Sequence, residues 1–507
     1  MATVDKSGAA FAVWLTGVGG HLVQVRATPG GGPGPSGLLD RLAVAETTDR
    51  VRAAVLNCAL PWPHLPVALS LSAEAHLATL SGADLAVACA VLAAAGHLPD
   101  DWLAETVLVG ELSLDGQLRP VRGVLAAVLA ARRAGLRRVV VPHALAAEAA
   151  LVPDMLVLAA QRLDQVVGYA RGEHARLPAV GPTASPAPCT PLVDLAEVAD
   201  QPDAVAALEV AAAGGHHLLL LGRPVSTSRL AHCLPGLLPD LSADQALEVT
   251  AIQSIAGLLP AEAPLITRPP FVTVSPSASV PELLGGGIGL PRPGAVSRAH
   301  HGVLFLEQAA EFGQQRLEAL RTVLDDGEIR LARRDAVVSF PARCQLVLAS
   351  LPCRCGSSGA PCVCSASARR RYLARLVGPL LDRVELRVRL QTPVPSTVPH
   401  VPAMDSAAVV LQRVRQARQR AARRWAARGA GTNAEVSVAV LRRESRLPDA
   451  VTAPLDQALA TGALTRRGAD RTLRVAWTLA DLAGHDQPDA EHVLRALHLR
   501  DRRPPAC

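Results

Sequence analysis

Apolar and polar residues follow two different periods along the first part of the chain. Short apolar runs of strand length lie at residues 67–72, 106–112 and 138–142. Alanine-rich segments of helical length lie at residues 82–95 and 121–134, and Gly135 ends the second of them. Strands that alternate with helices predict an α/β domain.

Proline-rich stretches divide the rest of the chain. Residues 177–191 carry five prolines among small residues, which is typical of an interdomain linker. The strands predicted for a second α/β unit are residues 217–221, 302–306 and 345–350. A second proline-rich break at residues 392–402 precedes a helical tail. The predicted boundaries are an α/β domain at 1–172, a linker at 173–192, an α/β core at 193–398 and a helical domain at 399–507.

Composition narrows the class of protein. Half of the 507 residues are apolar but only 2% are aromatic, so the cores must be built from Ala, Leu and Val. No apolar run approaches the ~20 residues of a membrane span. The first ten residues carry Asp5 and Lys6 and lack the apolar block of a secretory signal. These features predict a cytoplasmic protein that does not enter a membrane.

The net charge of +6 comes almost entirely from arginine, because Lys6 is the only lysine. A GC-rich genome would produce this bias, and so would selection for an anionic partner such as a nucleotide or a nucleic acid. Net charge alone does not decide between them. Residues 412–428 carry seven arginines whose helical angles spread around the cylinder, which favours a solvated helix over a nucleic-acid-binding face.

Residues 217–234 form a strand, a loop and a helix, the setting of a phosphate-binding loop with the pattern G-x-x-x-x-G-K-[ST]. The loop residues are Gly222, Arg223, Pro224, Val225, Ser226, Thr227, Ser228 and Arg229. Only Gly222 fits, because Thr227 replaces the second glycine and Ser228 replaces the lysine. Arg229 replaces the Ser/Thr that holds Mg²⁺, and it lies about 100° around a helix from the lysine position.

The segment at 302–308 has the form of the second ATPase strand, in which an Asp orients Mg²⁺ and a Glu activates water. Glu307 and Gln308 occupy these two places. Glu307 keeps the charge on a stem one methylene longer. Gln308 cannot accept a proton, so general-base catalysis, typically worth about 10²–10⁴-fold, should be lost.

Four cysteines lie close together in the sequence with the spacing C-x-C-x6-C-x-C. They are Cys353, Cys355, Cys362 and Cys364. Four thiolates in a flexible loop suit a closed tetrahedral Zn²⁺ site, although the spacing is tighter than the common C-x₂-C knuckle. The alternatives are four reduced thiols, or two disulfides that form only on oxidation.

The chain resembles the YifB/ComM branch of bacterial Mg-chelatase-like AAA+ ATPases over nearly its full length. The runs that carry this resemblance are residues 214–220, 247–252, 285–287, 292–294, 302–306, 317–321, 378–383, 432–437 and 471–476. The N-terminal part resembles the Lon-protease domain at residues 49–55, 110–116 and 118–123. The resemblance implies a Lon-protease-like N-terminal α/β domain, an AAA+ P-loop-type α/β core and a C-terminal helical lid.

The same resemblance implies roles for single residues. Arg383 matches the arginine finger that one subunit presents to the ATP of its neighbour, and Arg467 matches the lid arginine that contacts phosphate. Leu351 stands where the family has its sensor Asn. ATP with Mg²⁺ and a hexameric ring, of one kind of subunit or two, are implied as well. Lon's Ser–Lys dyad falls near Gly82 and Leu125, neither of which can act as nucleophile or base, so proteolysis is not expected.

Residues 328–338 predict two strands around a basic turn. In this clade such a hairpin tends to face the central channel of the ring, where Arg330, Arg333 and Arg334 would contact DNA phosphates. The alternative is a solvated hairpin whose arginines are neutralised by nearby acids. The local balance of charge favours this alternative. The acids are Asp325, Asp326, Glu328 and Asp335.

Three hypotheses follow for the function. The chain is an active ATPase that drives DNA branch migration, or a pseudo-ATPase that keeps the fold and the ring surfaces without turnover. In the third hypothesis it is a structural or regulatory subunit that acts on an intact paralogue through Arg383. The combined changes at the phosphate, magnesium and water positions favour the second and third hypotheses.

Overall fold

The computed structural model describes most of the chain, in stretches between residues 7 and 500. The residues outside this description are 1–6, 31–37, 64–66, 73–81, 182–194, 199, 261–264, 288–290, 333–336, 357–361, 377–379, 391–404, 444–445 and 501–507. None of the described helices is long and apolar enough to cross a bilayer.

The N-terminal part builds a seven-stranded mixed sheet in the order β3-β2-β1-β4-β7-β8-β9. Its strands are β1 (Gly8–Thr16), β2 (Gly19–Pro29), β3 (Val67–Leu71), β4 (Thr106–Leu108), β7 (Arg138–Pro142), β8 (Leu156–Ala160) and β9 (Ala179–Val180), and β5 (Glu111–Leu112) pairs separately with β6 (Leu118–Arg119). The helices are α1 (Leu38–Asn57), α2 (Asp84–Ala94), α3 (Asp100–Ala104), α4 (Val124–Arg133), α5 (Ala146–Ala149) and α6 (Leu163–Ala170).

The core of this domain forms around α2, whose residues are all buried. An alanine-rich helix suits this place because small side chains let the backbone approach the sheet closely; Gly8 of β1 lies against the backbone of Ala90 and Ala94. The sheet continues to Val180 through β9, so it extends past the predicted boundary at residue 172.

The second α/β unit contains a five-stranded parallel sheet in the order β11-β14-β17-β10-β18. Its strands are β10 (Leu218–Leu221), β11 (Phe271–Val274), β14 (Val303–Leu306), β17 (Gln345–Ser350) and β18 (Leu386–Arg389), and two hairpins add β12 (Gly285–Gly286), β13 (Arg292–Pro293), β15 (Glu328–Ala332) and β16 (Val337–Pro341). The helices are α7 (Pro202–Gly214), α8 (Pro224–Cys233), α9 (Ala243–Ala256), α10 (Val280–Leu284), α11 (Ala295–Arg298), α12 (Gln314–Asp326) and α13 (Ala366–Leu373).

The C-terminal part is helical, as predicted. Its helices are α14 (Ala407–Trp425), α15 (Val438–Arg443), α16 (Asp449–Ala460), α17 (Arg466–Ala483) and α18 (Ala490–Arg500). The expected solvated helix is confirmed only in part. Arg415, Arg420, Arg423 and Arg428 are exposed, but α14 buries a stripe from Val410 to Trp425. Arg413 pairs with Glu209 of α7, and Arg418 donates to the carbonyl of Ala212 at 2.8 Å. These arginines join the helical domain to the core.

The N-terminal domain and the core share an apolar interface. Leu247 and Ile255 of α9 pack with residues of α4, and Phe340 of β16 lies fully buried in the same cluster. Gly17, at a positive φ of 84°, forms a parallel bridge with Ser339 of β16. A side chain at position 17 would collide with the Ser339 carbonyl, so glycine is required for this close approach.

Candidate functional site

A cleft opens at the carboxyl ends of β10, β14 and β17, the edge of a parallel sheet at which α/β proteins bind ligands. It contains about 340 Å³ of empty space, part of it open to solvent. Its lining residues are Gly222, Pro224, Thr227, Phe305, Glu307, Gln308, Ala349, Ser350 and Leu351. The structure thus brings together the loop, second-strand and third-strand positions that the sequence singled out.

The predicted phosphate loop is helical. Helix α8 begins at Pro224, two residues after Gly222, and the amide of Thr227 already donates to the Arg223 carbonyl at 3.0 Å. A phosphate loop binds its ligand with successive free backbone amides. Here Pro224 has no amide proton, and the amides from Thr227 onward are used inside the helix. The amides of Arg223, Val225 and Ser226 stay outside the α8 ladder.

Two side chains of this segment, those of Thr227 and Ser228, also contact groups of α8 itself. The Thr227 hydroxyl donates to the carbonyls of Arg223 and Pro224, at 3.2 and 3.1 Å. Ser228, at the lysine position, contacts His232 one turn later, and the His232 ring donates to the Ser228 carbonyl at 2.8 Å. Arg223 and Arg229 are exposed to solvent and do not line the cleft.

Glu307 and Gln308 lie at the end of β14, as the sequence predicted. The Glu307 amide donates to the Val274 carbonyl at 3.2 Å, and its half-buried side chain lines the cleft. Gln308 adopts a left-handed backbone with φ 49° and has an exposed side chain. No described cleft residue is a cation, so this lining lacks the positive charge that a phosphate loop supplies to ATP, although Glu307 keeps a carboxylate at the Mg²⁺ position.

Arg383 and Arg467 lie outside this cleft. Arg383 follows β17 and α13 on a short turn, and its guanidinium forms a two-pronged ion pair with Asp325 of α12, with Nε 2.7 Å from Oδ1. Only 12% of the Arg383 side chain is exposed. Arg467 stands exposed in the first turn of α17. Their roles as finger and lid arginine remain predictions.

The four clustered cysteines converge in space. The sulfur atoms of Cys353, Cys355, Cys362 and Cys364 all lie within 4.8 Å of one another, and those of Cys355 and Cys362 are 3.4 Å apart. A tetrahedral zinc with Zn–S bonds of about 2.3 Å places its sulfur ligands at comparable separations. The residues therefore fit a zinc ion. Their loop follows Leu351, so the cluster begins next to the cleft.

A second group of close ligand-type side chains does not fit a metal. Glu248 of α9 accepts from Nε2 of His300 at 3.3 Å and from Nε2 of His301 at 3.1 Å. The Nδ1 atom of His300 accepts the Arg343 amide at 3.0 Å, so the ring proton must sit on Nε2. That nitrogen has no lone pair for a metal. The two histidines instead act as donors that hold the pKa of Glu248 well below its usual range.

The basic hairpin is anchored on one side. Val338 and Phe340 of β16 pack into the interface with the N-terminal domain, while Arg330 of β15 is 73% exposed and pairs with Glu328. Arg333 and Arg334 lie outside the described residues. The proposed contact with DNA therefore remains a prediction.

The positions that match the Lon dyad are structural. Leu125 is fully buried, and its amide donates to the Glu148 carboxylate at 3.3 Å. Gly82 accepts the Gly110 amide through its carbonyl at 2.8 Å. Next to it, the buried Asp84 receives both prongs of Arg50, at 2.8 and 3.0 Å.

Sequence reasoning missed a buried polar group at the other end of β10. Glu385, 2% exposed at the start of β18, accepts the His217 amide at 3.0 Å and pairs with Arg471 of α17. Burial acts to raise the pKa of Glu385, but the charges of His217 and Arg471 and the bond from the His217 amide outweigh it and hold this pKa at about 2. A single acid between Val384 and Leu386, just before β18, was the available signal.

Family models of magnesium chelatase match most of the chain. "Magnesium chelatase, subunit ChlI" matches residues 194–397, its C-terminal model matches residues 404–500, and "Subunit ChlI of Mg-chelatase" matches residues 36–145. An uncharacterized protein of Mycobacterium tuberculosis strain H37Rv is 50% identical over 498 residues, which cover 97% of this chain and 98% of that protein.

YifB of Escherichia coli K12 is 36% identical over 467 residues, covering 91% of this chain and 90% of YifB. Competence protein ComM of Haemophilus influenzae is 36% identical over 472 residues, covering 91% of both chains. A Lon protease homolog of Zea mays is 32% identical over 186 residues, 33% of this chain and 21% of that protein. Together with the mixed α/β architecture and the helical C-terminal region, these similarities confirm the predicted fold class. The chain belongs to the YifB/ComM family of Mg-chelatase-like proteins.

Proposed function

We propose that this protein is a Mg-chelatase-like ring subunit of the cytoplasm that has lost its own ATP turnover. The observation that carries the proposal is the helical phosphate loop: α8 begins at Pro224, and its amides bond within the helix. Three independent chemical functions are missing from the cleft. These are the lysine at Ser228, the general base at Gln308 and the sensor amide at Leu351. The loss of one such group is explained by a local change in one loop. The combined loss of the groups that bind phosphate, activate water and sense the nucleotide indicates that ATP hydrolysis is no longer selected.

The test is ATP turnover by the pure full-length chain. We expect the rate with Mg²⁺ to equal that of a Glu307→Ala variant, because any residual rate then comes from contaminants. We also expect ATP binding weaker than about 1 mM by calorimetry, since few free amides and, among the described residues, no cation line the cleft. Magnesium-dependent hydrolysis that Glu307→Ala abolishes would overturn the proposal.

A role towards a neighbouring subunit is the second part of the proposal. Arg383 is retained and held in a defined position by Asp325, although its own cleft lacks the catalytic groups. An arginine supplied in trans needs no intact site in the subunit that donates it. The chain would therefore occupy one place in a mixed ring and complete the site of a catalytically intact paralogue.

Mixing the chain with an intact Mg-chelatase-like paralogue tests this role. We expect co-assembly to raise ATP hydrolysis by the paralogue, and Arg383→Ala to abolish the increase, since an arginine finger is worth about 10³–10⁵-fold. Arg375→Ala is the matched control, because Arg375 also forms an ion pair, with Glu311, but lies outside the finger position. Equal stimulation by wild type and Arg383→Ala would contradict the role.

Zinc bound by the four cysteines completes the proposal. When bound, the ion would supply a closed structural site that holds the loop after Leu351. We expect about one zinc per chain in freshly purified protein by elemental analysis, and almost none in a Cys355→Ser/Cys362→Ser variant. Cys58→Ser, outside the cluster, should keep the full content. Metal-free wild-type protein would remove zinc from the proposal.

A further inference from the structure

The turn that carries Arg383 is held by arginines from the C-terminal helical domain. Arg471 of α17 donates to the Arg383 carbonyl at 2.9 Å. Arg500, the last residue of α18, donates to the Val384 carbonyl at 3.0 Å and to the Asp382 carbonyl at 3.3 Å. Three consecutive peptide carbonyls around Arg383 are thus bonded to two guanidinium groups of another domain.

Arg500 is buried to an extent that is rare for a charged side chain, with 5% exposure. Burial, followed by the nearby charge of Arg387, lowers its pKa to about 10. A buried guanidinium is tolerated when acceptors satisfy its N–H groups. The carbonyls of Asp382 and Val384 provide such acceptors, so the position of Arg500 and the shape of this turn depend on each other.

Arg471 makes a second connection. The nitrogen that bonds the Arg383 carbonyl also pairs with the buried Glu385, and Glu385 accepts the amide of His217 just before β10. The Glu385 carboxylate therefore links α17 to the strand that leads into the cleft. Removing one partner of such a buried pair leaves an uncompensated charge, so breaking this connection is costly.

The side chain of Arg383 points to a different element. It pairs with Asp325 at the end of α12, in the core. The backbone of this turn is bonded to the helical domain, whereas the guanidinium is bonded to the core. A rotation of the helical domain against the core would pull on the turn and would break or reorient the ion pair with Asp325.

We infer that Arg471 and Arg500 are positioning residues through which the C-terminal helical domain sets the placement of Arg383. The helical domain is then the element that decides whether Arg383 stays on Asp325 or becomes available to a neighbouring subunit. This functional consequence rests on the proposed role of Arg383 in trans. The mechanical coupling itself rests only on the contacts described above.

Hydrogen exchange of the full-length chain, followed by mass spectrometry, tests the coupling. The amides of Arg383 and Val384 bond to the carbonyls of Leu380 and Leu381 within the turn. We expect Arg471→Met and Arg500→Met each to speed exchange of these amides by roughly tenfold or more. The guanidinium bonds oppose local opening of the turn, so removing them lowers the free energy of that opening. Unchanged exchange in both variants would overturn the inference.

Arg442→Met is the matched control. Arg442 belongs to the same helical domain and pairs with Asp470 of α17, but the contacts of its side chain do not include the turn. It should leave exchange at Arg383 and Val384 unchanged. If it accelerates exchange as much as Arg471→Met does, the effect is general loosening of the domain and the inference fails.

Arg471→Lys covers the case in which the methionine variant does not fold. Lysine keeps a positive charge for Glu385 but lacks the planar fork of donors, so it should fold and show intermediate exchange. Exchange equal to wild type in a folded Arg471→Lys variant, together with no change in Arg500→Met, would count against the coupling.

Stimulation of an intact paralogue forms a separate arm. If wild type stimulates and the Met variants do not, while all still co-assemble, both proposals are supported. If wild type itself gives no stimulation but exchange responds as expected, the proposed trans role fails and the coupling stands. Full stimulation by a variant with accelerated exchange would show that the turn does not position Arg383, and the inference would fall.

Discussion

Asp481→Ala is expected to lower the free energy of unfolding of the C-terminal helical domain by about 3–5 kcal/mol, the usual cost of removing one partner of a buried ion pair. Asp481, near the end of α17, is fully buried. Its carboxylate receives both prongs of Arg424, one at 3.0 Å, and the Asn433 amide at 2.8 Å. Without it, these donors would face each other without an acceptor.

The loss of stability in Asp481→Ala should extend beyond this ion pair, because Asn433 also bonds other residues. Its amide group also donates to Thr478 at 3.0 Å, and its carbonyl accepts from the Trp425 indole at 2.8 Å. Thr478 in turn contacts Nε2 of His216 at 2.8 Å, which connects this network to the core. Urea denaturation of the full chain, followed by fluorescence of Trp425 and Trp477, would record the change.

Asp470→Ala is the control for Asp481→Ala, since both aspartates belong to α17 and both pair with an arginine. Asp470 pairs with Arg442, which is 45% exposed, whereas Arg424 is 19% exposed and Asp481 is 0% exposed. A pair in contact with water contributes about 0–1 kcal/mol. Equal losses in the two variants would show that burial of the Asp481 network does not stabilise the domain.

Acidification should destabilise the protein between about pH 6.5 and pH 4 through His216. Burial, the largest cause, lowers the pKa of this fully buried imidazole from 6.5 to about 4. In this window the unfolded chain binds a proton that the folded chain excludes, so stability falls as the pH falls. The difference corresponds to about 3 kcal/mol, fully lost below the folded pKa.

Urea denaturation at several pH values would check this result. His217 and His300, whose pKa values are also lowered by burial, add to the slope with the same sign. His216→Gln, which keeps a polar group for Thr478, should therefore flatten the profile in part. His143→Gln, at an exposed histidine, should leave it unchanged. A His216→Gln profile as steep as that of wild type would refute the assignment.

Ionisation of Glu385 should change the stability of the fold at lower pH than His216 does. Its folded pKa of about 2 lies below the ordinary 4.5, so its contribution is present above pH 4.5 and is lost between 4.5 and about 2. The two windows adjoin near pH 4. Glu248, whose pKa is also held low, adds to the fall in this range, so a smaller fall below pH 4 in Glu385→Gln than in wild type would report the Glu385 carboxylate.

The cleft was predictable from the sequence because parallel strands bring their carboxyl ends to one edge of a sheet. Gly222, Glu307 and Leu351 follow three apolar runs, and these runs become β10, β14 and β17. The strands β1 and β2 were not predicted. Their antiparallel pairing, Gly8 with Ala27 through Thr16 with Gly19, depends on partners rather than on a strong local pattern.

The family was identified from the resemblance of its motif runs. Local patterns and spacing predicted the α/β core, the helical C-terminal part and the groups absent from the ATPase motifs. The spacing of the four cysteines indicated a common site, but their convergence depends on how the chain folds between them. The same holds for the helical start at Pro224, since a G-x-x-x-x-G pattern without its glycine does not say which backbone replaces the loop.

The placement of Arg383 could not be read from its motif at all. Its partners Asp325, Arg471 and Arg500 come from three helices far away in sequence, and packing of the helical domain on β18 brings them to one turn. Periodicity and motifs encode the preferences of neighbouring residues. Contacts between distant charged groups depend on which faces the folded domains bury, because only burial makes pairing of those charges obligatory.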